Sequence, residues 1–130
     1  MEHQTPLTSG RLIGFAITTN PARTIHFYQQ TLGFRFVSQD QFAVVFDCNG
    51  SMLRLAILPE FQPPQYTVVG WQVDDIEPVV DYLAKAGVEM MKYSFLPQAP
   101  SGVWTTPNGN KVAWFKDPDG NLLSVSQHNS

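Results

Sequence analysis

A single cysteine in 130 residues rules out an internal disulfide, and Cys48 has no histidine or lysine beside it to activate a thiolate. It is expected to be a small apolar residue near a strand end. Charge is scarce as well: 15% of residues are charged, the net charge is -3, and no run of like charge occurs. That balance excludes a nucleic-acid surface. No apolar stretch approaches the roughly 18 residues that span a bilayer. The opening MEHQTPLTSGR has neither the basic nor the apolar region of a secretory signal. These absences lead us to expect a soluble cytoplasmic protein without nucleic-acid or membrane partners.

What is present is hydrophobic patterning, with 43% apolar residues in a chain the size of one ordinary domain. Leu12 to Thr18 reads as an apolar strand, followed by Asn20-Pro21, an N-cap with proline at the first helical position. The helix this predicts uses Ala22, Ile25, Phe27, Tyr28 and Leu32 as its apolar side, and Gly33 is placed to end it. Extended runs follow at Phe36 to Ser38, Phe42 to Asp47 and Met52 to Leu58. The order is βαβββ.

The second half repeats the plan. Val68 to Val73 is a strand, Asp74 or Asp75 caps a helix with Pro78 in its first turn, and Gly87 stops it. Extended runs are expected at Met90 to Tyr93, Val103 to Thr106, Lys111 to Lys116 and Leu122 to Gln127. Module one covers about 11–59, a proline-stiffened linker 60–65, and module two about 66–128. Gly14 pairs with Gly70, Phe15 with Trp71, Ile17 with Val73 and Gly33 with Gly87 when the halves are aligned. The closing DPDGN, Asp117 to Asn121, reads as a turn whose carboxylates are structural.

Three segments carry a family likeness: IHFYQQTLGF (Ile25 to Phe34), WQVDDIEPVVDYLAKAGVE (Trp71 to Glu89) and WFKDPDGNLLSV (Trp114 to Val125). In this order the chain resembles the vicinal oxygen chelate superfamily of glyoxalases, bleomycin-resistance proteins and extradiol dioxygenases. The resemblance implies an α+β fold in which two βαβββ modules form a curved mixed sheet around a cavity. It also implies a divalent metal held by His, Glu or Gln near the start of each module's first strand and on each module's last strand.

Position by position, those ligands are missing. The first-strand places fall at Leu12 or Ile13 and at Val68 or Val69, none of which can donate an electron pair. Module one's last strand offers only Arg54 between Leu53 and Leu55, and module two's offers Ser124, where metal-dependent relatives carry glutamate. A hydroxyl beside aliphatics and a cation cannot hold a catalytic divalent ion. His3, His26 and His128 read as peripheral, although alternation from Leu122 through Ser124 and Ser126 puts His128 on the face of the lost ligand. Neither a metal nor another cofactor is expected.

Alternation gives a cavity wall of Arg54, Gln72, Trp104, Trp114, Ser124 and Ser126. In the first strand it suggests that Ile13, Phe15 and Ile17 cover the helix, leaving Leu12, Gly14, Ala16 and Thr18 inward. The leading reading is a metal-free, homodimeric binder of a small aromatic or amphipathic molecule. A metal-dependent glyoxalase- or dioxygenase-like enzyme, or a metal-independent one using Asp47 or Glu89, is the alternative. Ser94 to Gly102, with two prolines, could serve as a lid or as a plain surface loop.

Overall fold

Asn20, two residues beyond the first strand, is extended, and its side chain accepts the N–H of Arg23 while Pro21 opens the helix. The computed structural model describes residues 3–129. The chain runs β1 (Ile13–Thr18), α1 (Pro21–Ile25), a π-helical segment (His26–Thr31), β2 (Arg35–Gln39), β3 (Ala43–Cys48) and β4 (Ser51–Ile57). The second half runs β5 (Val69–Gln72), α2 (Ile76–Lys85), β6 (Trp104–Thr105), β7 (Lys111–Lys116) and β8 (Leu122–Gln127). Two four-stranded mixed sheets result, ordered β1-β4-β3-β2 and β5-β8-β7-β6, with β1 parallel to β4 and β5 parallel to β8. This is the expected α+β architecture of two modules, and the sheets are not closed into a barrel.

The first helix is not the continuous α-helix that the spacing predicts. After one turn it widens, so that Leu32 N–H reaches the carbonyl of Phe27, five residues back. The cause is one extra residue. From N-cap to stopping glycine the first module runs from Asn20 to Gly33 and the second from Asp75 to Gly87, thirteen steps against twelve. The wider turn absorbs the difference.

Pairing also corrects the alignment of the halves. Phe15 lies opposite Arg54 on β4, and Gly70 lies opposite Ser124 on β8. Phe15 and Gly70 each stand five positions before their N-caps, Asn20 and Asp75. Phe15 therefore corresponds to Gly70, one residue off the match suggested by the shared glycines.

The facing of β1 is reversed from expectation. Ala16 and Thr18 are buried at 5% and 0%, whereas Phe15 is 60% exposed. Residues opposite each other in a ladder share a face, and Gly14 and Ala16 pair with the buried Leu53 and Leu55. Ile13, Phe15 and Ile17 thus share the helix-free face with Arg54. The larger apolar residues looked like the better core, but the small pair faces the first helix, where the buried Thr18 hydroxyl is hydrogen-bonded to that of Thr24 at 2.7 Å. The Met90 to Tyr93 run is not a strand; it makes one bridge, Met90 to Phe115, and the Met91 N–H bonds to the Trp114 carbonyl.

One core joins both modules, with Tyr28, Phe46 and Leu55 from the first and Ile76, Phe115 and Leu123 from the second. Tyr28 stacks on Phe46 at 5.2 Å, and Phe34 stacks on Trp71 across the module boundary at 5.2 Å. The Asp117–Asn121 turn ties the halves further. Asp119 accepts the Thr19 N–H and hydroxyl, the Thr24 hydroxyl and the Arg23 guanidinium.

Candidate functional site

Each sheet has one face on the helices and one free of them. On the second sheet's free face β-ladder pairs set Trp104 opposite Val112, Trp114 opposite Ser124, Gly70 opposite Ser124, and Gln72 opposite Ser126. Five of the six residues expected in the cavity wall therefore share this face: Gln72, Trp104, Trp114, Ser124 and Ser126. The indoles of Trp104 and Trp114 stack with centroids 6.3 Å apart and planes 25° from parallel. Both are half-buried. Tyr93 meets Trp114 edge-on at 5.5 Å, and Phe95 lies 5.5 Å from Tyr93, which lengthens the aromatic row.

Tyr93 and Phe95 are the members that alternation missed. They precede β6 in irregular chain, where no period of two assigns a face. The signal available was compositional, two aromatics beside the loop that closes over β7. Two side chains hold that loop: Gln98 accepts the Tyr93 N–H and donates to the carbonyls of Met91 and Gly102, and Lys92 Nζ donates to the Pro100 carbonyl.

Polar groups stand beside the row. Ser126 Oγ lies 2.8 Å from His128 Nε2, which places His128 on the same face as Ser124. Ser124 Oγ occupies the space over Gly70, where a Cβ would lie 2.6 Å from it. Arg54 is not joined to this group. It stands on the first sheet's free face between Phe15 and Val45, and its charge helps hold Asp40 below the usual carboxylate range, behind the larger effect of the Phe42 and Ala43 N–H groups.

Asp47 and Glu89 are not drawn to one site. Asp47 is ion-paired to Arg35 at 2.9 Å, and that contact together with the Gly50 N–H lowers its pKa, the opposite of what a base poised near neutrality needs. Glu89 is exposed on the far side of the α2 turn. Cys48 is buried, and burial pushes its thiol up to about 11.

The places where the resemblance puts metal ligands can now be resolved. Ile13, opposite Met52, faces away from the helices, and Val68 lies on the Gly70 side of its strand, outside the Val69–Leu123 pair. Ile13, Val68 and Ser124 supply a single hydroxyl among them. Among the described residues no three His, Cys, Asp or Glu side chains gather to hold an ion. This donor set does not fit a divalent metal.

Several hollows surround the sheets. One of about 260 Å³ lies between Leu32, Phe34, Trp71 and α2 and is lined in part by Gln72, but by none of Tyr93, Phe95, Trp104 and Trp114. Another of about 470 Å³ adjoins Tyr93 and Phe95, with Pro63 and Pro64 of the linker as its opposite wall.

Two linked βαβββ modules with an aromatic free face define a class of paired-module, open-sheet proteins. Residues 13–125 match the model of the Glyoxalase/Bleomycin resistance protein/Dioxygenase superfamily, and the chain belongs to that superfamily. A superfamily member from Sphaerobacter thermophilus is 21% identical with a TM-score of 0.73, and the match covers 94% of this chain and 99% of that one. A genomically encoded fosfomycin resistance protein from Listeria monocytogenes is 16% identical, TM-score 0.73, over 93% of this chain and 94% of that one. An integron cassette protein from the mobile metagenome of V. Cholerae is 22% identical, TM-score 0.64, over 93% and 96%. No curated protein matches the chain. Among the described residues no helix is long and apolar enough to cross a membrane.

Proposed function

We propose that this protein binds a small aromatic or amphipathic molecule on the free face of its second sheet, without a metal ion. The observation that carries the reading is the Trp104–Trp114 stack, half-buried and extended by Tyr93. Aromatic faces of this kind attract a planar ligand, while Gln72, Ser124 and Ser126 supply the few placed polar groups that orient one. Ile13, Phe15 and Met52 leave an exposed apolar edge on the first sheet, which supports a homodimer; light scattering of the full chain tests that assembly. A lone buried thiol suits a reducing, cytoplasmic setting.

The test is a thermal-shift screen of untagged protein against aromatic metabolites and antibiotics, with and without a chelator. A stabilising ligand that also quenches tryptophan fluorescence and is indifferent to chelator supports the reading. Stabilisation that requires nickel or zinc, or a tightly bound stoichiometric ion in the purified protein, overturns it.

A further inference from the structure

Lys116 is the last residue of β7 and lies opposite Leu122 on β8. Two positions along the strand from Trp114, it stands on the same free face of the second sheet. Lys116 and Leu122 both line the hollow of about 470 Å³ beside the aromatic row, together with Tyr93, Phe95, Pro63 and Pro64. The proline wall is fixed by packing, since Pro63 lies so close to Gly120 that a Cβ there would sit 2.9 Å from Pro63 Cγ.

The charge in this hollow has one sign. Among the described residues Lys116 is the one charged side chain of its lining, and no carboxylate shares it. Lys116 also borders a neighbouring hollow that Glu89 and Asp117 line, yet no ion pair among the described residues joins it to either. An exposed ammonium beside aromatic rings, with no carboxylate of its own, attracts an anion. The lining holds one positive charge and no arginine to fork a phosphate or phosphonate, which matches a singly charged group. Tyr93 and Gln65 bring a hydroxyl and an amide as further donors.

We propose that this hollow takes the carboxylate of the ligand, so that the molecule bound on the tryptophan face is an ionised aromatic carboxylic acid. Its ring lies on Trp114 and Tyr93, and its carboxylate meets the Lys116 ammonium. This specificity rests on the aromatic-face reading above and adds to it the charge of the ligand.

The experiment titrates the full chain with benzoate, phenylacetate and cinnamate, each beside its neutral amide, which keeps the ring and removes the charge. Calorimetry gives the affinities and amide chemical shifts give the positions. At least one acid is expected to shift Trp114, Tyr93 and Lys116 and to bind about fivefold tighter than its amide, the scale of an ion pair that solvent still reaches. Lys116→Met keeps an apolar stem at an exposed position and so folds; it removes the preference and leaves the affinity of the amide unchanged. Lys85→Met alters the net charge equally from an exposed position on α2 and leaves the preference intact. Acid and amide bound equally on Trp104 and Trp114, or a preference that survives in Lys116→Met, overturns the role of Lys116 and leaves the aromatic face standing. No shift at Trp104 or Trp114 with any probe overturns the aromatic face, and this proposal with it.

Discussion

The Tyr28 hydroxyl donates to the Asp117 carboxylate across 2.7 Å, bonding the helix of the first module to the turn of the second over 89 positions of chain. Both residues are buried, at 0% and 5% exposure. Burial, and then the Asp117 charge, raises the Tyr28 pKa well above 10.0, so the phenol remains a donor. Tyr28→Phe is expected to lower stability by about 1–3 kcal/mol, since it strips a buried carboxylate of one partner. Asp117→Asn should cost a similar amount, and the double variant less than the sum. Urea denaturation of the cycle checks this; additivity within about 0.5 kcal/mol would show that the bond couples nothing.

Asp117 and Asp119 pull the acid stability in opposite directions. Burial raises the Asp117 pKa above 3.8, more than its bonds from Tyr28 and Asn121 lower it. The folded state therefore holds that proton more tightly than the unfolded chain, and stability falls as pH rises through the interval above 3.8. For Asp119 burial also pushes upward, but the Thr19 hydroxyl and N–H outweigh it and the pKa is lowered from 3.8. Its stabilisation is full above 3.8 and is lost as pH falls through the lowered value. Asp119→Asn should make the urea midpoint less sensitive to pH below 3.8, and Asp117→Asn should flatten it above. A midpoint curve over about pH 2 to 7 in which both variants keep the parent's slopes would contradict the assignment.

Gly70 carries a steric prediction. An added Cβ would sit 2.6 Å from Ser124 Oγ, so Gly70→Ala must swing that hydroxyl off the strand. The cost should be about 0.5–1.5 kcal/mol, the scale of a displaced rotamer. Ser124→Ala in the same chain should recover most of it, because the Ser124 Cβ is 3.9 Å away and can stay in place. Thermal denaturation of the single and double variants reads the effect; no recovery in the double would locate the strain elsewhere.

Much of this was legible before the fold. N-caps at Asn20 and Asp75, and stops at Gly33 and Gly87, marked both helices through local chemistry that acts within a few residues. Alternation put Gln72, Trp104, Trp114, Ser124 and Ser126 on one face, and the ladder pairs of β5 to β8 do the same, because a period of two holds along each of those strands. It failed on β1, where both faces are apolar and the facing is decided by pairing with Leu53 and Leu55, partners distant in sequence. The π turn was hidden for a related reason, since a one-residue surplus shows only after the modules are superposed by their ladders.

The tryptophan pair offers the most direct check on the proposed ligand face. Trp114 touches both Trp104 and Tyr93, so removing it breaks the row in two, while removing Trp104 shortens it at one end. For a ligand found by thermal shift, Trp114→Ala should weaken binding by about 2 kcal/mol or more, roughly thirtyfold, and Trp104→Ala by less. Trp114→Phe should retain most of the affinity, since a smaller ring still offers a face. Neither change touches the Tyr28, Asp117 and Asn121 network, so stability is expected to fall only by the packing lost from two half-buried side chains. Calorimetric titration against the three variants makes the measurement. Affinities that are unchanged in Trp114→Ala would move the ligand off this face.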